Sequence, residues 1–332
     1  MNKKKIIAIG VSCLFILVGY HLFSRQSAEV PTNIIGKDKR VTPDDIRLYF
    51  KNMKFDDKDV SKYFSNDLVN PYTIKFFKFL QGKFSQMSLE DHLKAVEEYL
   101  RSIMPPKKAE EMFALYKKFT LYEKSLMDVT KKWGTPKTAD EALNYLKNLQ
   151  DYRRNYFGKD IADGLFGAEV KNHEYRVRKF SILNDKKMYG AEKEKQLKEL
   201  QGEMWGRDSG SVDSNAKPFD RYQEKMVMYQ KDLGELNDTD RKDKVREYRK
   251  EFFSEEVVAR LEKVDEQIEG EKKQEEDYRS REAKIQSDLN LKPEEKEARI
   301  RALQEEIFGS EGADEFRRRE NIRKAQDEWK RR

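Results

Sequence analysis

Apolar positions in this chain are spaced in two ways, and the change comes near residue 24. Before it they are continuous: residues 6–23 (IIAIGVSCLFILVGYHLF) are broken only by Ser12, Cys13, His21 and glycines, and follow Lys3, Lys4 and Lys5. A stretch of that length can cross a bilayer, and the lysines hold its start on the cytoplasmic side. The remainder is therefore expected outside the cytoplasm, with residues 1–23 as an uncleaved, single-pass inner-membrane anchor. Ser27-Ala28 leaves a cleaved signal peptide as the alternative. Residues 24–41 are polar, show no period and are expected to be a tether.

After residue 41 the apolar positions recur three and four apart, the spacing of one helix face. Thr42-Pro43-Asp44-Asp45 opens a helix through Ile46 and Phe50, and a weaker helical or turn region follows to Tyr63 and Phe64. Residues 72–84 (YTIKFFKFLQGKF) form an aromatic knot, expected as a core helix of a small bundle. Ser88 with Asp91 starts a helix carrying Leu93, Val96, Leu100 and Ile103, and Pro105-Pro106 ends it. The next helix, 107–132, aligns Met112, Leu115, Tyr116, Phe119, Tyr122 and Met127.

Gly134-Thr135-Pro136 reads as a boundary, and Thr138 with Glu141 restarts a helix through Leu143, Leu146 and Leu149. Helices are then expected at 161–166, 169–183, 192–205 and 219–233, with 206–217 (GRDSGSVDSNAK) as a loop or hinge. Another begins at 237–243, and 255–288 reads as one long helix. Its first half has the stripe Val257, Leu261, Val264 and Ile268, whereas 269–277 (EGEKKQEED) has no apolar residue at all. A helix polar all round crosses solvent or is held at its ends. Residues 291–332 are expected as a helical hairpin with Ile322, Ala325 and Trp329 on one face.

Pieces of the chain recur. Residues 191–206 lie over 294–309 at an offset of 103, matching Lys193/Lys296, Glu194/Glu297, Leu200/Leu303, Gln201/Gln304, Glu203/Glu306 and Gly206/Gly309. A looser echo pairs 152–160 (YRRNYFGKD) with 248–256 (YRKEFFSEE) at an offset of 96. The unequal offsets do not support a solenoid of fixed period. A duplicated helical unit and a mere likeness of helix ends both remain open from sequence.

Composition narrows the function. Of 332 residues 39% are charged and 37% hydrophobic, which suits long helices on narrow stripes better than one large core. The net charge is +6, and the three lysines before the apolar run leave +3 for the rest, too small a field to favour nucleic acid. Cys13 is the one cysteine and lies in the expected anchor, so disulfide and thiol chemistry are excluded from the exported part. His21, His92 and His173 have no metal-ligand spacing, and no glycine-rich phosphate loop or nucleophile motif occurs. His92 and His173, on charged helices, are expected to be exposed. No cofactor, no metal and no enzymatic activity are expected.

Two segments carry a family resemblance: 153–183 (RRNYFGKDIADGLFGAEVKNHEYRVRKFSIL) and 289–316 (LNLKPEEKEARIRALQEEIFGSEGADEF). With the order of anchor, tether, helical domain, helical scaffold and second helical domain, they resemble the lipase-specific foldases, or lipase chaperones, of Gram-negative bacteria. The family's signature in its first small domain is Arg, two variable residues, Phe-Asp-Tyr, a Phe or Cys, then Leu-Ser. The corresponding knot is TIKFFKFLQG in one of two registers. Either Phe77 and Phe79 take the first Phe and the Tyr, or Phe76, Phe79 and Leu80 take the first Phe, the later Phe and the Leu. In both the Arg is replaced, by Ile74 or Thr73, and the Asp by Lys78 or Phe77.

The resemblance implies an all-α protein: an extended, curved scaffold (135–270) between a first (42–134) and a second (271–332) small helical domain. It implies a periplasmic steric chaperone that wraps a secreted lipase or related esterase-like hydrolase, with Phe76, Phe77, Phe79 and Leu80 as motif core or client-facing anchors. A helical tether of the cell envelope without a folding client is the alternative.

Overall fold

The computed structural model describes residues 41–206 and 216–331, and they are all-α. The expected anchor at 6–23, nearly all of the tether and residues 207–215 of the expected loop lie outside the described residues. Among the described residues no helix is long and apolar enough to cross a membrane. Two compact units divide at Arg241 and Lys242.

The first unit begins with α1 (Pro43–Phe50), where Thr42 and Asp45 close a reciprocal capping box, and α2 (Val60–Tyr63). The aromatic knot is α3 (Thr73–Lys83), followed by α4 (Leu89–Ile103), capped by Ser88, and α5 (Pro106–Thr130). Then come α6 (Ala139–Phe157), capped by Thr138, α7 (Lys159–Asn184), α8 (Gly190–Trp205), α9 (Pro218–Met228) and α10 (Gln230–Glu235). One core runs from Phe55 through Phe76, Phe77, Tyr116 and Tyr122 to Leu146, Leu149, Phe166 and Val170. Packing thus continues across the turn at Gly134, and the aromatic helices share an interior with α6 and the first half of α7.

Several helices differ from expectation for local reasons. The pieces expected at 161–166 and 169–183 are one helix, α7, despite Gly164 and Gly167. Gly164 marks a close approach: a Cβ there would lie 2.5 Å from Val69 Cγ1. The helix expected at 219–233 breaks at Tyr229, where ψ is 16°, giving α9 and α10. On α5 the buried residue is Leu126, and Met127 points into solvent at 64% exposure.

The second unit takes in most of α11 (Asp238–Lys250), together with α12 (Glu255–Ser287) and α13 (Pro293–Arg331). The expected boundary at 270 falls inside α12. The first run of α13 ends at Gly309, whose φ of 72° lies in the left-handed region that favours glycine, and a second run follows. Tyr278, Leu303 and Phe316 are buried together, with Ile285, Ile307 and Phe308 packed on them. The expected stripe near the C-terminus is open to solvent, Ile322 at 59% and Trp329 at 79%.

The sequence echoes are structural. α6–α7–α8 and α11–α12–α13 are two copies of one three-helix unit. At offset 96, the ion pair Arg153–Glu169 matches Arg249–Asp265, and Ala162 matches Val258, both fully buried. At offset 103, Gln201 Nε2 donates to Tyr175 Oη at 3.1 Å and Gln304 Nε2 to Tyr278 Oη at 3.0 Å. Arg178 pairs with Glu203 at 2.7 Å and Arg281 with Glu306 at 2.8 Å. Lys193 Nζ donates to the Leu183 carbonyl at 2.7 Å, and Lys296 Nζ to that of Gln286 at 2.6 Å.

The two offsets differ because the middle helices differ: α7 has 26 residues and α12 has 33. The seven additional residues lie between Asp265 and Tyr278, where the all-polar stretch 269–277 runs. Seven residues are nearly two turns and rotate a helix by only about 20°, so both ends of α12 keep their faces.

Candidate functional site

The knot residues are placed by α3, whose 3-4 spacing turns one face inward. Phe76, Phe77 and Leu80 are fully buried. Phe77 packs edge-on to Tyr116 at 5.3 Å and against Phe119 at 5.1 Å, while Phe76 meets Phe55 at 5.4 Å and Phe64 at 5.1 Å. Phe79 is half-buried, 5.6 Å from Phe55, with Lys83 Nζ 5.5 Å from its ring. What α3 offers to solvent is polar: Lys78 and Gln81 both reach Glu123.

The histidines are not exposed as expected. His92 is 9% exposed, with Nδ1 2.9 Å from the Phe84 carbonyl and Nε2 2.6 Å from Tyr116 Oη. A carbonyl only accepts, so Nδ1 donates to it, and Nε2 shares a hydrogen bond with the tyrosine hydroxyl; the ring is a satisfied core group. His173 is half-buried beside Phe50, at 6.4 Å. Burial pushes its imidazole below the usual range, against the pull of Glu169.

A charged group not foreseen from sequence joins α1, α5, α6 and α7. Arg153 Nε donates to Tyr122 Oη at 2.9 Å, Arg153 Nη2 approaches Glu169 at 3.3 Å, and Tyr49 Oη donates to Glu169 at 2.9 Å. The guanidinium lies 3.9 Å from the centre of the Phe166 ring. Burial raises the Glu169 carboxyl, but Arg153, then His173 and the Tyr49 hydroxyl, outweigh it and hold it below the ordinary carboxylate value. Burial chiefly, with Glu169, raises the Tyr49 phenol well above its usual value. Beside this group, Asp163 accepts from Arg154 Nε at 2.8 Å and from Gln150 Nε2 at 2.7 Å. These contacts are internal, although Arg153 Nη1 and Gln150 Oε1 are buried without a hydrogen-bond partner, and their enclosure suits a structural clamp.

Among the described residues no group of three or more histidine, cysteine or carboxylate side chains is placed to hold a metal ion. Two grooves of the first unit open to solvent. One, of about 480 Å³, is lined by Asp45, Asp67, Asp160 and Asp163 among others. The other, of about 380 Å³, lies between α1 and the second half of α7 and includes Trp205. No sequence signal marked either, because each is lined from elements far apart in the chain.

Residues 115–313 match the family model of the proteobacterial lipase chaperone protein, a match over more than half of the chain. A lipase chaperone of Acinetobacter baylyi (strain ATCC 33305 / BD413 / ADP1) is 25% identical over 137 residues, 40% of this chain and 39% of that protein. The aligned part thus spans about two fifths of that relative's length. The family match takes in α6, α7, α8, α11 and α12 whole, and α13 as far as Ala313. It begins after α3, so the knot residues lie outside it. A match of this extent identifies the chain as a member of the proteobacterial lipase chaperone family.

Proposed function

We propose that this protein is a membrane-anchored periplasmic steric chaperone, without enzymatic activity, that assists folding of a secreted lipase or a related hydrolase. The family match over 115–313, running through both three-helix units, carries this reading. In it residues 6–23 cross the inner membrane behind three cytoplasmic lysines, and the tether frees the helices to work in the periplasm. The expected open, curved scaffold between two smaller helical ends is part of the same proposal: helices on narrow apolar stripes leave long polar faces for a client.

The mechanism needs no reactive group. A chaperone of this kind speeds folding by binding the client's transition state more tightly than its trapped intermediate, and only that difference counts. About 1.4 kcal/mol of difference gives a tenfold faster step. The knot side chains Phe76, Phe77 and Leu80 serve by holding α3 in the core, and Phe79 is the one of the four with surface to offer.

Refolding a denatured secreted lipase with and without residues 24–332 tests the proposal. Active lipase should be recovered in proportion to added chaperone up to about one equivalent. Equal recovery without it would remove the reading. For the anchor, protease added to spheroplasts should digest the helical part and spare residues 1–5.

A further inference from the structure

The two copies of the three-helix unit close one face differently. In the second copy the chain closes it with its own residues: Phe316 lies 4.8 Å from the Tyr278 ring and stacks on Phe308 at 4.6 Å. Arg279 sits 5.0 Å from the Phe316 ring and pairs with Glu320, one turn further along α13. An aromatic residue and a carboxylate four positions later, on one helix face, thus plug the face together.

The equivalents in the first copy are Tyr175, Trp205 and Arg176, and there the sequence does not repeat the Phe316 and Glu320 pair. At offset 103 the positions of Phe316 and Glu320 are taken by Asp213 and Lys217, so the first position is not aromatic and the second is not an acid. Ile46 of α1 covers part of the Tyr175 cluster, and beside it lies the groove of about 380 Å³. Its apolar lining includes Ile46, Phe180, Leu183 and Trp205, and its edge carries Arg47, Arg176 and Lys179. Arg47 pairs with Asp44, and Lys179 with Glu224 at 2.8 Å. Arg176 is exposed, and among the described residues no carboxylate pairs with it. The Trp205 indole Nε1 is buried without an acceptor.

We infer that this groove receives a helical segment of the client carrying an aromatic residue and, four positions on, a carboxylate, seated as Phe316 and Glu320 are in the second copy. The volume suits an aromatic side chain and its neighbours. With Arg47 and Lys179 already paired to carboxylates, Arg176 is the cation that favours an acid in the segment, and it takes the part that Arg279 plays. This rests on the chaperone reading above.

The probe is a fluorescent peptide of residues 310–329, in native form and with Phe316→Ala or Glu320→Arg, titrated against the full chain in detergent. The native peptide should bind saturably. Phe316→Ala should weaken it at least tenfold, and Glu320→Arg similarly. Against Arg176→Glu, an exposed substitution that leaves the fold alone, the native peptide should lose at least tenfold while the Glu320→Arg peptide regains affinity. No saturable binding at about 1 mM, or binding indifferent to Arg176→Glu, would overturn the inference. Sedimentation of the full chain guards the choice of partner: a dimer abolished by Arg176→Glu would assign the groove to a second copy and reject the client. Refolding separates the two readings: if wild type and Arg176→Glu raise lipase recovery equally, the groove inference is lost and the chaperone reading stands. If neither raises it, the chaperone reading is lost, and the assignment of the groove to a client is lost with it.

Discussion

The two three-helix units repeat one set of contacts in different surroundings. In the first, Arg153–Glu169 is enclosed by Tyr49, Tyr122 and Phe166, with the two side chains 3% and 14% exposed. In the second, the matching Arg249–Asp265 pair is shorter, 2.7 Å, yet Asp265 is 55% exposed. Distance would rank the second pair as the stronger. Burial reverses that order, because removing one partner of an enclosed pair strands the other charge, whereas water screens the open pair.

The largest effect should come from the spacer of α12. Deleting the five residues 269–273 turns the far half of the helix by roughly 140° against the near half, since each residue contributes about 100°. Leu303 and Phe316 pack on that far half and turn with it, so α13 is carried out of line with α11, and thermal unfolding should show the second unit melting below the first. Deleting seven, 268–274, matches α12 to α7 in length and should leave the melting profile within a few degrees of wild type. Equal damage from both deletions would refute the inserted double turn.

Next in size is the buried pair. Glu169→Gln should cost about 3 kcal/mol in urea unfolding of the first unit, and Asp265→Asn less than about 1 kcal/mol in the second. Similar values for the two would break the contrast drawn above. Acidification should reproduce part of the first loss. His173, lowered by burial, contributes stability above its unfolded value near 6.5, and this fades as pH falls below that. Glu169, held low by Arg153 against burial, keeps its contribution until pH falls below about 4.3. Unfolding midpoints of the first unit should therefore fall in two steps between about pH 7 and 3, and Glu169→Gln should erase the lower one. Smallest are the matched tyrosines: Tyr175→Phe and Tyr278→Phe should each cost about 1 kcal/mol.

Much of this was legible in the chain. Thr42, Ser88 and Thr138 each marked a helix start because a cap acts within three residues, and Gly309 marked a helix end for the same local reason. The pairs Leu200/Leu303 and Gln201/Gln304 pointed to half of the duplication without deciding it. Its other half stayed ambiguous because the added turns fall in a polar stretch with nothing to align. Gly164 misled, since a glycine that admits Val69 looks in sequence like one that breaks a helix. His92 misled for a similar reason: Tyr116, its partner, is 24 residues away, and no local pattern announces it. Nor did the sequence distinguish Arg153 from the many solvated arginines, because its enclosure depends on α1 folding over α7.

The double turn in α12 has a further implication for how such chaperones diverge. At about 1.5 Å per residue it sets the contacts at either end of the helix some 10 Å further apart than in α7, while both keep their orientation. Growth by this quantum works as an adjustable ruler: whole double turns can be added or removed without redesigning the contacts at either end.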